Sequence, residues 1–144
     1  MNNKRNIALN MNTIEMNFHV NTYDIDLAGH VNNIVYVRWL EDLRNKLLNE
    51  KFNLKKIITE SFYPVVVSTI INYKKQIRIF DKPNGVIEFR GCKHGILNFK
   101  SIIKLKDIIA AKAEQRCVII NLKNSKMISQ NEFIELAFPF KNIG

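Results

Sequence analysis

Alternating apolar and polar side chains predict a β-strand near the start of the chain, and helical spacing follows it. Residues 14–20 place an apolar side chain at every second position, as in a strand with one buried face. Apolar residues then recur every three or four positions over residues 36–47, which predicts an amphipathic helix within residues 31–50. Residues 34–37 favour a strand by propensity alone, but a helix that is apolar over a broad arc is expected where a sheet wraps around it.

The rest of the chain predicts β-structure. Apolar runs that predict strands lie at residues 65–71, 86–89, 96–105, 108–122 and 133–138. Turn-forming residues separate several of these runs, at residues 81–85, 93–95 and 121–126. A strand, a long helix and a series of antiparallel strands together predict an α+β domain. We expect this single domain at residues 13–144, after a flexible N-terminal tail at residues 1–12.

Length and composition indicate a globular protein. The chain of 144 residues can bury a hydrophobic core without disulfides or a structural metal. No apolar run approaches the ~20 residues of a membrane span, and the first residues lack the apolar stretch of a secretory signal. We therefore expect a cytoplasmic protein without a membrane span.

The net charge is +9, from 22 Lys and Arg against 13 Asp and Glu. This excess is compatible with a polyanionic partner such as nucleic acid, an acidic membrane surface or a phosphorylated cofactor. However, the basic residues are dispersed, and no nucleic-acid-binding motif is present. The charge alone does not distinguish a binding surface from a solvated basic one, and we predict no nucleic-acid partner.

The cysteines and histidines do not form a recognisable metal or redox motif. Cys92 and Cys117 are far apart in sequence, and the three histidines lack the spacing of zinc ligands. We expect both thiols to be reduced and packed, and we predict no metal and no cofactor.

The densest cluster of polar side chains lies between the predicted strand and helix, at residues 23–33. It combines two carboxylates, a histidine and two amides at a helix N-terminus, where backbone N–H groups lack partners. Such a terminus can bind a carbonyl oxygen on which negative charge develops, and a nearby carboxylate could attack the carbonyl or activate water. Residue types alone leave an alternative open, in which Asp26 or Asn32 merely caps the helix and His30 is a surface residue.

The order of residues in this cluster resembles the signature of hotdog-fold acyl-CoA thioesterases. The similarity is strongest over residues 23–44, which include Tyr36, Trp39 and Glu41, and it extends weakly over most of residues 14–128. The 4-hydroxybenzoyl-CoA thioesterases and the plant-type acyl-ACP thioesterases are the most similar groups. The resemblance implies a long central helix wrapped by an antiparallel β-sheet. It also implies hydrolysis of acyl-CoA or acyl-ACP without metal, by a homodimer or homotetramer whose active sites lie between subunits.

The resemblance also assigns roles to individual residues. Asp26 matches the catalytic carboxylate, and the backbone N–H of Asn33 matches the amide that polarises the thioester carbonyl. His30 matches a histidine of the acyl-ACP thioesterases, although Ala28 stands where those enzymes have an asparagine. Asp24 is expected to be structural. Substrate contacts are expected from Gly29, Val31, Asn32 and Tyr36.

Several further expectations and alternatives remain open from the sequence. Glu41 and Arg44, on the predicted helix, are expected to form a structural pair. Loose candidates for binding the phosphates of CoA are Lys74, Lys75, Arg78, Arg90 and Lys93. A hydroxyacyl dehydratase of the same fold would need a Phe-Pro-Gly-type segment, which is absent. The alternative outside enzymes is a non-catalytic basic module that binds nucleic acid or an acyl-carrier partner.

Overall fold

A computed structural model describes residues 12–137, so nearly all of the predicted tail at residues 1–12 lies outside the described residues. The strands are β1 (Thr13–Asn17), β2 (Phe62–Tyr73), β3 (Asn84–Lys93), β4 (Ile96–Leu105), β5 (Ile108–Asn121) and β6 (Lys126–Met127). The helices are α1 (Asn33–Phe52), α2 (Leu54–Thr59) and α3 (Gln130–Ala137). No helix among these residues is long and apolar enough to cross a bilayer.

The strands form one antiparallel sheet in the order β1-β3-β4-β5-β2, with the short β6 paired to β5. Tight connections join β3 to β4 and β4 to β5, so these neighbours in sequence are also neighbours in the sheet. Helix α1 packs against β1 and β3. A long helix against a curled antiparallel sheet confirms the α+β prediction and is the hotdog arrangement that the resemblance implies.

Helix α1 is amphipathic, as the spacing of its apolar residues predicts. Its buried side consists of Val35, Tyr36, Trp39, Leu40, Leu43, Arg44, Leu47, Leu48 and Phe52. The polar residues at 38, 41, 42, 45 and 49 are exposed. The segment 34–37 is helical despite its strand propensity, because Val35 and Tyr36 are buried in the core, and tertiary packing overrides a weak local preference.

The expected pair of Glu41 and Arg44 is wrong. Arg44 lies on the buried side of α1, only 8% exposed, and its Nη1 donates to Oε1 of Gln115 on β5 at 2.8 Å. Gln115 in turn donates to the hydroxyl of Thr69 on β2 at 3.1 Å. Glu41 is exposed. The side chain of Arg44 thus links the helix to the sheet. It lies on the buried side because Leu40 and Leu48, four residues before and after it, belong to that side.

The strand predicted at residues 133–138 is also wrong. The described part of this segment belongs to α3, which buries Phe133, Leu136 and Ala137. These positions follow the three-and-four spacing of a helix face rather than the alternation of a strand. The hydroxyl of Ser129 accepts the N–H of Glu132 at 3.1 Å and so caps the helix. Phe138 lies outside the described residues.

Both cysteines are free thiols, as predicted. Cys117 is buried on β5, and Cys92 is half-buried on β3. Burial raises the pKa of both thiols, so they remain protonated in neutral solution. They contribute packing rather than nucleophilic chemistry.

We expect Leu43→Ala to lower the free energy of unfolding by about 2–5 kcal/mol, because the side chain is fully buried and its truncation leaves a cavity against the sheet. Val37→Ala on the same helix, where the side chain is 44% exposed, should change it by less than about 0.5 kcal/mol. Urea unfolding at one fixed protein concentration measures both variants. Equal effects would contradict the packing described for α1.

Candidate active site

Asp24 anchors the loop between β1 and α1. It ends a single 3-10 turn (Thr22–Asp24) and is 4% exposed. Its Oδ2 accepts the backbone N–H of Asn21 at 2.8 Å and the side-chain amide of Asn21 at 3.2 Å. Its backbone carbonyl accepts the N–H of Asn32 at 2.8 Å. One carboxylate oxygen thus closes the turn, and the backbone carbonyl ties the turn to the start of the helix. Both bonds support the structural role expected for Asp24.

Asp26, two residues later, is exposed, and its hydrogen bonds within the described part of the chain use only one carboxylate oxygen. Its Oδ1 accepts the backbone N–H groups of Ala28 at 2.9 Å and His30 at 3.1 Å. Its own N–H donates to the carbonyl of His30 at 2.8 Å. Among residues 12–137, no donor reaches Oδ2. The loop therefore fixes the orientation of the carboxylate and leaves one oxygen available to a ligand.

Gly29 and Asn32 shape the loop. Gly29 has φ +81°, in the left-handed region that favours glycine, and its N–H donates to the carbonyl of Asp26 at 3.0 Å. Asn32 caps α1 by accepting the N–H of Ile34 on its side-chain oxygen at 3.1 Å. Neither of them lines the cavity described below. Their expected contacts with substrate therefore remain a prediction, to which the structure adds a conformational role.

The segment after β2 braces the loop from the other side. The N–H of Val31 donates to the carbonyl of Ile77 at 2.7 Å, and His30 pairs with Arg78 in an antiparallel bridge. The N–H groups of residues 74 and 75 both donate to the carbonyl of Ala110 on β5, at 2.7 and 3.0 Å. This segment is thereby tied to the sheet, and the loop is tied to the segment.

A cavity of about 550 Å³ lies between the loop, the N-terminus of α1 and the segment after β2. Its lining consists of Asp26, His30, Val31, Asn33, Tyr36, Tyr73, Lys74, Lys75 and Gln76. The structure thus brings together the three predicted catalytic residues and two of the four predicted substrate contacts. Tyr73 and Gln76 are not among the site residues predicted from sequence. No local pattern marks them, since only the pairing of segment and loop brings them there.

The first residue of α1 lines this cavity and has a backbone N–H that no acceptor among residues 12–137 contacts. Asn33 begins the helix, and no acceptor for its N–H lies among the described residues. The following N–H groups are satisfied by Asn32, whose side chain accepts from Ile34 and whose carbonyl accepts from Val35 at 2.9 Å. The free N–H lies at the positive end of the helix dipole and suits an oxygen that gains negative charge.

Two tyrosines form the inner wall of the cavity. The rings of Tyr36 and Tyr73 meet edge to face, with centroids 5.0 Å apart and an interplanar angle of 85°. Burial is the main cause that raises the pKa of Tyr36 to about 12, with a further contribution from Tyr73. Tyr36 therefore remains a neutral phenol at physiological pH. It can donate a hydrogen bond but cannot serve as a base.

The cavity combines the carboxylate of Asp26 with two cations. Lys74 and Lys75 line the wall near Asp26, and neither forms an ion pair within residues 12–137. No group of three His, Cys, Asp or Glu side chains suited to a metal ion occurs in the same range. The arrangement can polarise a carbonyl at the helix terminus, present an oriented carboxylate to it and attract an anionic ligand.

Comparison with known proteins connects this arrangement to one family. The model of the thioesterase-like superfamily matches residues 20–138. This range includes β2 to β5 as well as the loop and α1. No protein of curated function matches the chain.

Solved structures of low sequence identity share the fold. YbaW, a probable thioesterase from Escherichia coli, is 23% identical, with a TM-score of 0.77 over 86% of this chain and 98% of its own. Slr0204, a 1,4-dihydroxy-2-naphthoyl-CoA thioesterase from Synechocystis, is 17% identical, with a TM-score of 0.75 over 92% and 99%. The hypothetical protein SAV2348 from Staphylococcus aureus, in complex with CoA, is 14% identical, with a TM-score of 0.75 over 88% and 84%. These similarities confirm the hotdog fold.

The two aspartates of the loop should respond differently to substitution. Asp24→Ala leaves the N–H of Asn21 without its acceptor, so we expect a loss of about 1–3 kcal/mol in the free energy of unfolding. Asp26→Asn keeps an oxygen for the N–H groups of Ala28 and His30, and we expect a loss below about 1 kcal/mol. Urea unfolding compares the two variants. If Asp26→Asn were the more destabilising, the carboxylate of Asp26 would be structural.

Proposed function

Since the chain belongs to the thioesterase-like superfamily, we propose that it hydrolyses an acyl thioester of CoA or of acyl carrier protein to the free acid and the thiol. The observation that supports this most strongly is that Asp26 and Asn33 line one cavity, and that Oδ2 of Asp26 and the N–H of Asn33 have no hydrogen-bond partner among residues 12–137. A carboxylate beside a carbonyl-binding N–H is the minimal equipment for acyl transfer to water. CoA in complex with a protein of the same fold supports CoA as the thiol.

In the proposed reaction, the thioester carbonyl lies at the N-terminus of α1 and its oxygen accepts the N–H of Asn33. Negative charge develops on this oxygen when the carbonyl carbon is attacked, and the N–H and the helix dipole stabilise it. The cavity wall adds the neutral phenol of Tyr36 and the half-buried imidazole of His30. We assign His30 to positioning the substrate or the attacking water.

Asp26 serves in this proposal either as nucleophile or as general base. As nucleophile, its Oδ2 attacks the carbonyl carbon, the C–S bond breaks, and water hydrolyses the resulting anhydride. As general base, it takes a proton from the water that attacks the same carbon. In both routes the sulfur leaves as a thiolate, whose parent thiol has a pKa of roughly 8.5. Such a group departs without a strong acid, and it gains its proton from solvent.

Thiol release from a panel of substrates tests the function as a whole. The purified chain should release thiol from at least one acyl-CoA or acyl-ACP in a set of short, long, branched and aromatic acyl groups. Release from none of them would contradict hydrolysis. It would then favour the alternative, a non-catalytic basic module that binds nucleic acid or an acyl-carrier partner.

Asp26→Asn should lower kcat by ~10²–10⁴, the range for losing one positioned acid or base group. The loss should fall on kcat rather than KM, because the carboxylate acts at the reacting carbon. The variant removes the negative charge but keeps the loop contacts, since its amide oxygen can still accept the N–H groups that hold Oδ1. Steady-state thiol release measures both constants.

Two matched variants act as controls for this prediction. His30→Ala should lower kcat less than Asp26→Asn, and Asp24→Asn should lower it least, because Asp24 is buried in the turn and does not line the cavity. A folded Asp26→Asn variant that retains more than about a tenth of the wild-type kcat would overturn the assignment, since the expected loss starts at ~10².

We further propose that the chain forms a homodimer, or a homotetramer built from it, through the free edge of β2. This strand ends the sheet, and its exposed apolar residues are Tyr63, Val65, Val66, Val67, Ile70 and Tyr73. A long apolar edge strand pairs readily with another strand. Because Tyr73 also lines the Asp26 cavity, a partner at this edge would lie beside the site.

Val67→Lys should weaken this pairing, because it places a charge on the exposed apolar edge strand. We expect the wild type to sediment at twice or four times the 16.8 kDa of the chain, and the variant at a lower mass at the same concentration. Ile108→Lys is the control, since Ile108 is 51% exposed against 56% for Val67 but belongs to β5. A wild type that is an active monomer would refute the proposal.

A further inference from the structure

A second cavity, of about 530 Å³, lies beside residues 79–82, which directly follow the bridge between His30 and Arg78. It is lined by His19, Val20, Asn21, Thr22, Tyr23, Ile79, Phe80, Asp81 and Lys82. None of these residues lines the Asp26 cavity. We call it the aromatic cleft, after Tyr23 and Phe80.

The two aromatic rings of the cleft are turned into solvent. Tyr23 is 79% exposed and Phe80 is 89% exposed, and neither ring contacts another ring within residues 12–137. Large aromatic side chains are usually buried, because their apolar area is costly to hydrate. Two of them facing one cavity therefore indicate a surface that a flat apolar ligand would cover.

Both rings are held on braced turns. Phe80 has φ +73°, a left-handed conformation that is rare for a bulky residue. The carboxylate of Asp81 stabilises this turn by accepting the N–H of Arg78 at 2.9 Å, and the N–H of Asp81 donates to the carbonyl of Arg78 at 3.1 Å. Tyr23 belongs to the turn that the buried Asp24 closes. The backbone that carries each ring is thus held by hydrogen bonds, and strained backbone of this kind is concentrated at functional sites.

One continuous segment, residues 73–82, contributes to both cavities. Its first part lines the Asp26 cavity and its last part lines the aromatic cleft. The three residue steps from Gln76 to Ile79 span at most roughly 10 Å. Four cations lie along this segment without an ion pair in the described part of the chain, and they are Lys74, Lys75, Arg78 and Lys82.

We propose that the aromatic cleft binds the adenine ring of the CoA moiety between Tyr23 and Phe80. The proposal rests on the proposed function, since CoA is the thiol that bears a nucleotide. Stacking suits a purine because its faces are apolar and flat. The charges of Arg78 and Lys82 suit the phosphate groups that join the adenosine to the pantetheine arm. The arm then crosses the bridge between the cavities and places the thioester beside Asp26.

Substrates with and without the nucleotide test this assignment. Phe80→Ala and Tyr23→Ala should each raise KM for an acyl-CoA by roughly 5- to 100-fold, the range that stacking of one base supports. The kinetic constants for the matching acyl-pantetheine should stay at the wild-type values, because that substrate has no adenine. Leu122→Ala is the control. It removes a side chain that is 54% exposed and lines neither cavity, so the kinetic constants for both substrates should stay at the wild-type values.

Two results would contradict adenine binding in the aromatic cleft. If either cleft variant changed acyl-CoA and acyl-pantetheine hydrolysis by the same factor, the residue would act on the fold or on the reacting carbon, and the proposal would be overturned. Unchanged KM for acyl-CoA in both variants would overturn it as well.

Direct binding separates this proposal from the proposed function. Titration calorimetry of CoA with the wild type should give an affinity that falls by the same 5- to 100-fold in Phe80→Ala, whether or not any thioester is hydrolysed. Absence of hydrolysis together with this loss would reject only the enzymatic function. CoA binding that is absent, or equal in both proteins, would reject the cleft.

Discussion

Helix α1 buries its apolar side against the sheet, and the geometry of the candidate site depends on that contact. Leu43 and Leu47 are fully buried, and Phe18 stacks on Trp39 of the helix with ring centroids 4.9 Å apart. Gly85 on β3 permits this approach, since a Cβ there would lie 2.5 Å from the ring of Phe18. With the helix axis fixed by packing, its N-terminus and the N–H of Asn33 are fixed as well.

The loop before α1 divides two similar carboxylates between two tasks. Asp24 is buried and accepts hydrogen bonds that close the turn, whereas Asp26 is exposed and has one oxygen that no donor among residues 12–137 contacts. The difference comes from the surroundings, because the residue types are the same. The bridge from His30 to Arg78 then holds this loop to the segment after β2, so that the cavity has two walls anchored in the same sheet.

The positively charged side chains on the outer face of the sheet and those along residues 73–82 have different neighbours. On the outer face of the sheet, Lys100 lies in register between Glu88 and Glu114 and is 3.3 Å from the carboxylate of Glu114. Along residues 73–82 the cations have no such partners in the described structure. They lie beside the two cavities, where they can attract an anionic ligand.

The sequence by itself determined the elements whose side chains follow a clear period and the cluster whose residue order is distinctive. The alternation at residues 14–20 predicted β1, although the strand ends at Asn17, and the three-and-four spacing predicted α1. The resemblance over residues 23–44 proposed Asp26, His30 and Asn33 as site residues. The two periodic signals are local, because each arises within one element that has a buried face and a solvated face.

Only the tertiary structure decided the features that join distant parts of the chain. Arg44 was expected to pair with Glu41 on the same helix, yet it contacts Gln115, which is 71 positions away. Tyr73 and Gln76 line the site because β2 ends beside the loop. The exposed ring of Phe80 becomes a candidate for ligand binding only because it lines the same cavity as Tyr23. Such contacts depend on sheet order and on backbone pairing between segments. Sheet order and backbone pairing produce no periodic pattern in the sequence, so local patterns could not predict these contacts.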